Sequence, residues 1–231
     1  MAPRKRQTPE AGTTGLQSSL KDDDKLQKHL SRSLDENERL IRDSFGDSID
    51  LSIRRLRTGD SRQHELLIAH LQGLVDDWLV SNSIIQKATE LGREIRDEQQ
   101  AFQVLRDNLL TVTQVEVVTG ADELVTTIAA GKCGILVNGI AAGLICIVPG
   151  GERRAVDEPI NEPVVRGPRE GFTESLHVNI SLLRRRIKDS NLRFEKQQIG
   201  RISKTEIAVA YITSTADERI AREVRQRLAR I

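Results

Sequence analysis

The sequence predicts an α/β fold of two related lobes, each a small mixed sheet with flanking helices, the second lobe incomplete within these 231 residues. Three observations carry the prediction. Apolar spacing switches repeatedly between a helical period and strict alternation. Turn residues centred on glycine fall at the switches. One stretch of the chain repeats another at a fixed offset of 141 residues, which is the mark of a duplicated supersecondary unit.

Residues 1–32 are polar, with scattered leucines as their only large apolar residues, and read as a disordered tail. The first lobe, 33–150, opens on a helix. Ser33 and Glu36 have the spacing of a capping box, and Gly46 suits the end of a helix that runs to Phe45. Leu51, Ile53 and Leu56 then mark a short strand. Thr58-Gly59-Asp60-Ser61 reads as a turn, His64–Leu71 as a second strand, and Asp76 starts another helix. A helix over 101–110, a strand over 115–118 and a short helix from Asp122 to Gly131 follow. Cys133–Val137 and Leu144–Val148 form a hairpin around Asn138–Gly143. Residues 151–165, charged and proline-rich, read as a linker.

The second lobe, 166–231, repeats the order. A helix over Phe172–Ile187 places Phe172, Leu176, Leu183 and Ile187 on one face. Leu192 and Phe194 alternate in a strand, Gly200 and Ser203 lie in a turn, and Ile207, Val209 and Tyr211 alternate in the next strand. Asp217 caps a helix with the apolar stripe Ile220, Val224 and Leu228. At the 141-residue offset Leu51 meets Leu192, Gly59 meets Gly200, Glu65 meets Glu206, Ala69 meets Ala210 and Asp76 meets Asp217, with no gap.

Composition narrows the function. Lys and Arg number 35 against 34 Asp and Glu, so net charge gives no pull toward nucleic acid. Aromatic residues are 3% of the chain, which leaves few rings for stacking bases and makes the core aliphatic. Cys133 and Cys146 lie in apolar runs and read as buried free thiols of a reducing compartment. The longest apolar stretch, Ile135–Pro149, is broken by Asn138-Gly139 and Gly143 and is shorter than the ~20 residues a spanning helix needs.

Catalytic signatures do not assemble. Gly131-Lys132 is followed by Cys133, which departs from a phosphate-binding loop, and His29, His64, His70 and His177 lack partners at metal-ligand spacing. No catalytic residue, metal or cofactor is assigned, and the chain is read as other than an enzyme. Arg184-Arg185-Arg186 falls at a helix C-terminus, where cations meet the negative end of the helix dipole. The distinctive segment is EPVVRGPREGF, directly before a helix. Its Glu162, Arg166, Gly167, Pro168, Arg169, Glu170, Gly171 and Phe172, with Glu174 beyond, form a candidate interlobe or subunit-interface motif. Arginine forks can hold carboxylates at two points, and glycines let the backbone approach closely.

The run EPVVRGPREGFTESL closely resembles the signature of GerA-type spore germination A subunits. The resemblance continues through Asn179-Ile180, Leu183-Arg184-Arg185-Arg186-Ile187, Gly200, Ser203-Lys204-Thr205 and Tyr211-Ile212. It extends more loosely through Phe45-Gly46, Gly73-Leu74-Val75-Asp76 and Asn108-Leu109-Leu110. Ser190 and Ser214-Thr215 depart from the family's usual proline and glycine-aliphatic residues. The resemblance implies the N-terminal part of a germinant receptor A subunit, on the cytoplasmic (spore core) side of the spore inner membrane. It implies work alongside an integral membrane B subunit and a C-subunit lipoprotein, with oligomerisation through the A subunit. The function expected is receptor assembly and signalling of nutrient-induced germination. The alternative is a small-molecule (germinant) binding module with a cleft between the lobes.

Overall fold

The computed structural model describes residues 28–58, 64–86, 97–109, 113–150 and 171–231. Helix α1 (Leu34–Phe45) leads into β1 (Leu51–Thr58) and β2 (His64–Leu71). Asp76 then caps a single turn, α2 (Asp77–Leu79), its carboxylate accepting from the N–H groups of Trp78 and Leu79 at 3.0 Å each. The chain runs on as a π-helical segment, Val80–Ile85. Next come α3 (Glu98–Leu109), β3 (Val115–Val118), α4 (Ala121–Ala129), β4 (Cys133–Val137) and β5 (Gly143–Cys146).

Five strands make one sheet in the order β1-β2-β4-β5-β3. Every ladder in it is antiparallel, and the only parallel pairing among the described residues is the isolated Gln72–Val75 bridge. Successive side chains on a strand point to opposite faces, so β2 supplies both layers of core. Leu66 and Ile68 pack with Val80, Ile84 and the Ala101, Phe102, Leu105 and Leu109 stripe of α3. Leu67, Ala69 and Leu71 pack with Leu34, Ile41 and Phe45 of α1 and Leu124 and Ile128 of α4. The sheet is therefore covered on both faces, and β4 and β5, buried along their whole length, read as continuous apolar runs. Cys133 and Cys146 sit opposite each other on β4 and β5, buried and unbridged.

The second unit contains α5 (Leu176–Arg186), β6 (Leu192–Ile199), β7 (Thr205–Ile212) and α6 (Glu218–Leu228). It reproduces the first at the offset read from the sequence. Leu51 pairs with Leu71 and Leu192 with Ile212; Thr58 pairs with His64 and Ile199 with Thr205. Even a hydrogen bond beyond the ladder recurs, Gln72 N–H to Asp50 C=O at 2.8 Å and Thr213 N–H to Asn191 C=O at 3.0 Å. Asp217 caps α6 as Asp76 caps α2.

Several local expectations are corrected. Ser33 begins α1, but its side chain makes no capping bond. Instead Asn37, buried on the inner face, turns back to clasp the Ser31 backbone, accepting from its N–H at 2.9 Å and donating to its C=O at 2.7 Å. Asn179 clasps Thr173 in the same way at 2.7 and 2.8 Å. That clasp starts α5 at Leu176, so Phe172 lies outside the helix and is 70% exposed. Of the predicted Phe172–Leu176–Leu183–Ile187 face, Leu176, Leu183 and Ile187 pack against the core, while Ile180, Ser181 and Arg184 are the residues α5 buries most deeply. Strand β5 ends at Cys146, two residues short of the expected end. Of the predicted α6 stripe, Ile220 and Val224 are exposed, Ile220 at 65%, while Leu228 is half-buried, and Ala221 is the residue that α6 buries.

Candidate functional site

The two units meet around one buried cation. Arg184, on the inner face of α5, is fully buried, and its partner Asp50 is 4% exposed. Its Nε donates to Asp50 Oδ2 at 2.7 Å and its Nη2 to Oδ1 at 3.1 Å, a two-point clasp. Nη2 also donates to Ser48 Oγ at 3.1 Å and Nη1 to the Asp189 carbonyl at 3.0 Å. Ser48 Oγ in turn donates to Asp50 Oδ1 at 2.6 Å and accepts from the N–H of Phe194 at 3.1 Å. The guanidinium lies 5.0 Å from the Phe194 ring centroid and 6.0 Å from that of Phe45. A buried charge is tolerable only when paired and hydrogen-bonded, and here both ions meet that condition.

Local sequence explains how these groups reach the junction. Gly46, at φ +59°, ends α1 and turns the chain toward β1, so that Phe45 and Ser48–Asp50 face the second unit. A Cβ on Gly46 would sit 2.5 Å from Arg193 Nε. Arg193 itself donates to the Ser44 carbonyl at 2.9 Å, at the C-terminal end of α1, where a cation is favoured. Burial holds the Arg193 pKa below the ordinary arginine value, and the neighbouring Arg184 charge adds to that. The backbone joins the units as well, Ile49 N–H donating to the Phe194 carbonyl at 3.0 Å.

A second contact lies on the other flank of α5. Gly73 adopts φ +78°, and a Cβ there would overlap the Ser181 hydroxyl. Arg185 Nη2 reaches the Gly150 carbonyl at 3.3 Å. Phe45-Gly46, Gly73 and Arg184-Arg185, all within segments that carry the family resemblance, thus lie where α5 meets the first unit. The Arg184 reading is corrected accordingly: it is the anchor between the units rather than a solvated helix-end cation, whereas Arg185 and Arg186 are exposed.

Of the predicted motif, Glu162, Arg166, Gly167, Pro168, Arg169 and Glu170 lie outside the described residues. Gly171 is half-buried, and Phe172 and Glu174 are exposed just before α5. The sequence reading missed Ser48, Asp50 and Arg193. The available signal was Asp50 between Ile49 and Leu51, and Arg184 four residues after Ile180 on the stripe that α5 buries.

The polar atoms of the junction are committed to one another through the bonds of Arg184, Asp50 and Ser48. Among the described residues no group of three or more His, Cys, Asp or Glu could hold a metal, and no helix is long and apolar enough to cross a membrane. A small apolar cavity of about 110 Å³ lies inside the first unit, lined by Leu79, Ile84, Leu109, Thr113, Ile147 and Val148 among others.

Residues 39–231 match the family described as Bacillus/Clostridium GerA spore germination protein. The chain belongs to the GerA family. Among the family's curated members it is 35% identical to Spore germination protein KA of Bacillus subtilis (strain 168), over 87% of this chain and 37% of that protein. It is 32% identical to Stage V sporulation protein AF of the same organism, over 81% of this chain and 37% of that protein. This GerA-family chain therefore spans little more than a third of the length of the curated relatives it matches. Its fold matches the crystal structure of the N-terminal domain of the A subunit of the Bacillus megaterium spore germinant receptor GerK3, with a TM-score of 0.71 and 25% identity. That match covers 87% of this chain and 72% of the other.

Proposed function

We propose that this chain is the N-terminal portion of a germinant receptor A subunit and serves receptor assembly and signalling in spore germination. The observation that carries the reading is the fold match to the N-terminal domain of the GerK3 A subunit together with family membership over residues 39–231. In this reading the full-length protein sits in the spore inner membrane, with this portion on the spore-core side. It works with an integral membrane B subunit and a lipoprotein C subunit, and oligomerises through the A subunit. The junction supports a mechanical role, because a buried, two-point ion pair fixes the relative orientation of two units and transmits displacement between them. Phe45, Phe194 and Arg184 fill that junction, which favours assembly over a ligand cleft at the same place.

The motif 162–174 enters directly before α5, the helix that carries the anchor. Arg166 and Arg169 are proposed to hold this segment against a neighbouring subunit. The test replaces each with alanine in the full receptor and measures three quantities: nutrient-triggered germination, co-purification of the B and C subunits, and thermal unfolding of the purified chain. The reading expects slower germination and weaker co-purification at an unchanged melting temperature. Normal germination and normal co-purification in both variants would remove the motif's proposed role.

A further inference from the structure

We propose that the small cavity in the first unit is a binding site for one uncharged, apolar molecule about the size of benzene. The cavity holds about 110 Å³ and lies among the π-helical segment, the end of α3 and the stretch that follows β5. It shares no residue with the Arg184–Asp50–Ser48 network of the junction.

Local backbone builds one part of its wall. On an α-helix, residues five apart point about 140° away from each other, so Leu79 and Ile84 would diverge. Val80–Ile85 is instead π-helical, and Gln86 N–H donates to the Ser81 carbonyl, five residues back. The wider turn brings Leu79 and Ile84 to the same side, where both line the cavity. Such turns are rare and concentrate at functional sites. Leu109, Thr113, Ile147 and Val148 continue the wall. Protein interiors hold few voids larger than a water molecule, and a void forfeits the dispersion contacts of its lining unless a guest supplies them.

The chemistry of the wall selects the guest. Thr113 Oγ1 donates to the Ile147 carbonyl, and Thr113 N–H donates to the Leu109 carbonyl at 3.0 Å. Ile147 N–H donates to the Gln114 carbonyl at 3.1 Å, and the Val148 carbonyl accepts from Asp76 N–H at 3.3 Å. Pro149 has no N–H to offer. These polar groups are committed to the protein itself. A buried water needs about two to four polar partners, and apolar cavities of about 150 Å³ stay dry and take up benzene or xenon. A zwitterion or a sugar would bury polar groups without partners here.

Burial marks the way in. Ile84, Leu109 and Val148 are buried, Leu79, Thr113 and Ile147 are half-buried, and Pro149 is exposed at the rim. The next residue, Gly150, accepts from Arg185 Nη2 at 3.3 Å, so the rim adjoins a contact between the units.

Benzene titrated into the 231-residue chain tests the site by methyl NMR. Saturable shifts should be confined to the methyl groups of Leu79, Ile84, Leu109, Thr113, Ile147 and Val148, and the melting temperature should rise with benzene concentration. L-Phenylalanine, which carries the same ring on a zwitterion, should shift none of them. Ile147→Phe puts a ring into the space from its rim and should lose the benzene response, whereas Ile202→Phe, at a position 91% exposed, should keep it. If Ile147→Phe does not fold, the map of shifts in the parent decides. Absence of saturable shifts up to the aqueous solubility of benzene overturns the proposal, as do shifts spread evenly over surface methyls. A folded Ile147→Phe that responds like the parent also overturns it. An equal response to phenylalanine overturns the apolar class of the guest.

Discussion

Arg184 grips the Asp50 carboxylate with two hydrogen bonds, at 2.7 and 3.1 Å, from 134 residues away in sequence. Removing either partner leaves the other charge buried and alone, a loss of about 3–5 kcal/mol. Arg184→Ala and Asp50→Ala should each lower stability by that amount in urea unfolding. Arg184→Lys should also destabilise, because an ammonium cannot reproduce the two-point fork. Arg184→Met combined with Asp50→Asn should recover part of the loss, since no unpaired charge remains. A double mutant no more stable than the worse single mutant would show that the pair is not the source of the effect.

Gly73 and Ser181 mark the other point of close approach. Gly73→Ala places a side chain at φ +78°, in the left-handed region, which costs about 1–2 kcal/mol, and drives its Cβ into the Ser181 hydroxyl. Adding Ser181→Ala should relieve the overlap and leave the backbone cost. Thermal melts of the single and double variants check this: the double variant should melt between Gly73→Ala and the parent. A Gly73→Ala protein as stable as the parent would refute the packing of α5 against this turn.

His70 should make stability depend on pH. It is buried on β2, and burial holds its pKa below the ordinary histidine value. Asp77, with a carboxylate oxygen 3.8 Å away, opposes that shift less strongly, and Arg54 adds to it. The unfolded chain takes up a proton as pH falls through about 6.5, while the folded chain does so only at lower pH. The stabilisation from a neutral His70 is therefore complete above that value and lost as pH falls below it. Melting temperatures between pH 8 and pH 5 should drop more steeply for the parent than for His70→Leu. Parallel profiles would rule out this source.

Cys133 and Cys146 should resist modification in the folded chain. Burial pushes the Cys146 thiol up to about 12 and raises Cys133 well above the usual thiol value. The reactive thiolate is then scarce at pH 8. Labelling by a thiol reagent should be slow, limited by opening of the β4–β5 region, and fast for both cysteines in urea. Rapid labelling of either one without denaturant would contradict the buried placement.

Much of the architecture was legible in residue spacing. The gap-free offset of 141 predicted that β6 and β7 would pair as β1 and β2 do, because a duplicated pattern of inward side chains fixes the same register twice. Asp76 and Asp217 announced their helices, because a carboxylate that satisfies free N–H groups acts within three residues.

What the sequence could not decide was which polar residues would be buried. Ser33 and Glu36 had the spacing of a capping box, yet Asn37 took the clasp, because it lies on the face that packing buries. Arg184 stood in a basic triplet indistinguishable from a solvated helix end. Its role depends on Asp50, Ser48, Phe45 and Phe194, which reach it only when the two units are packed together. Periodicity is a local property and survives in the sequence. The pairing of a buried charge across 134 residues is a tertiary one, set by the geometry of the junction and by the high cost of leaving either ion alone.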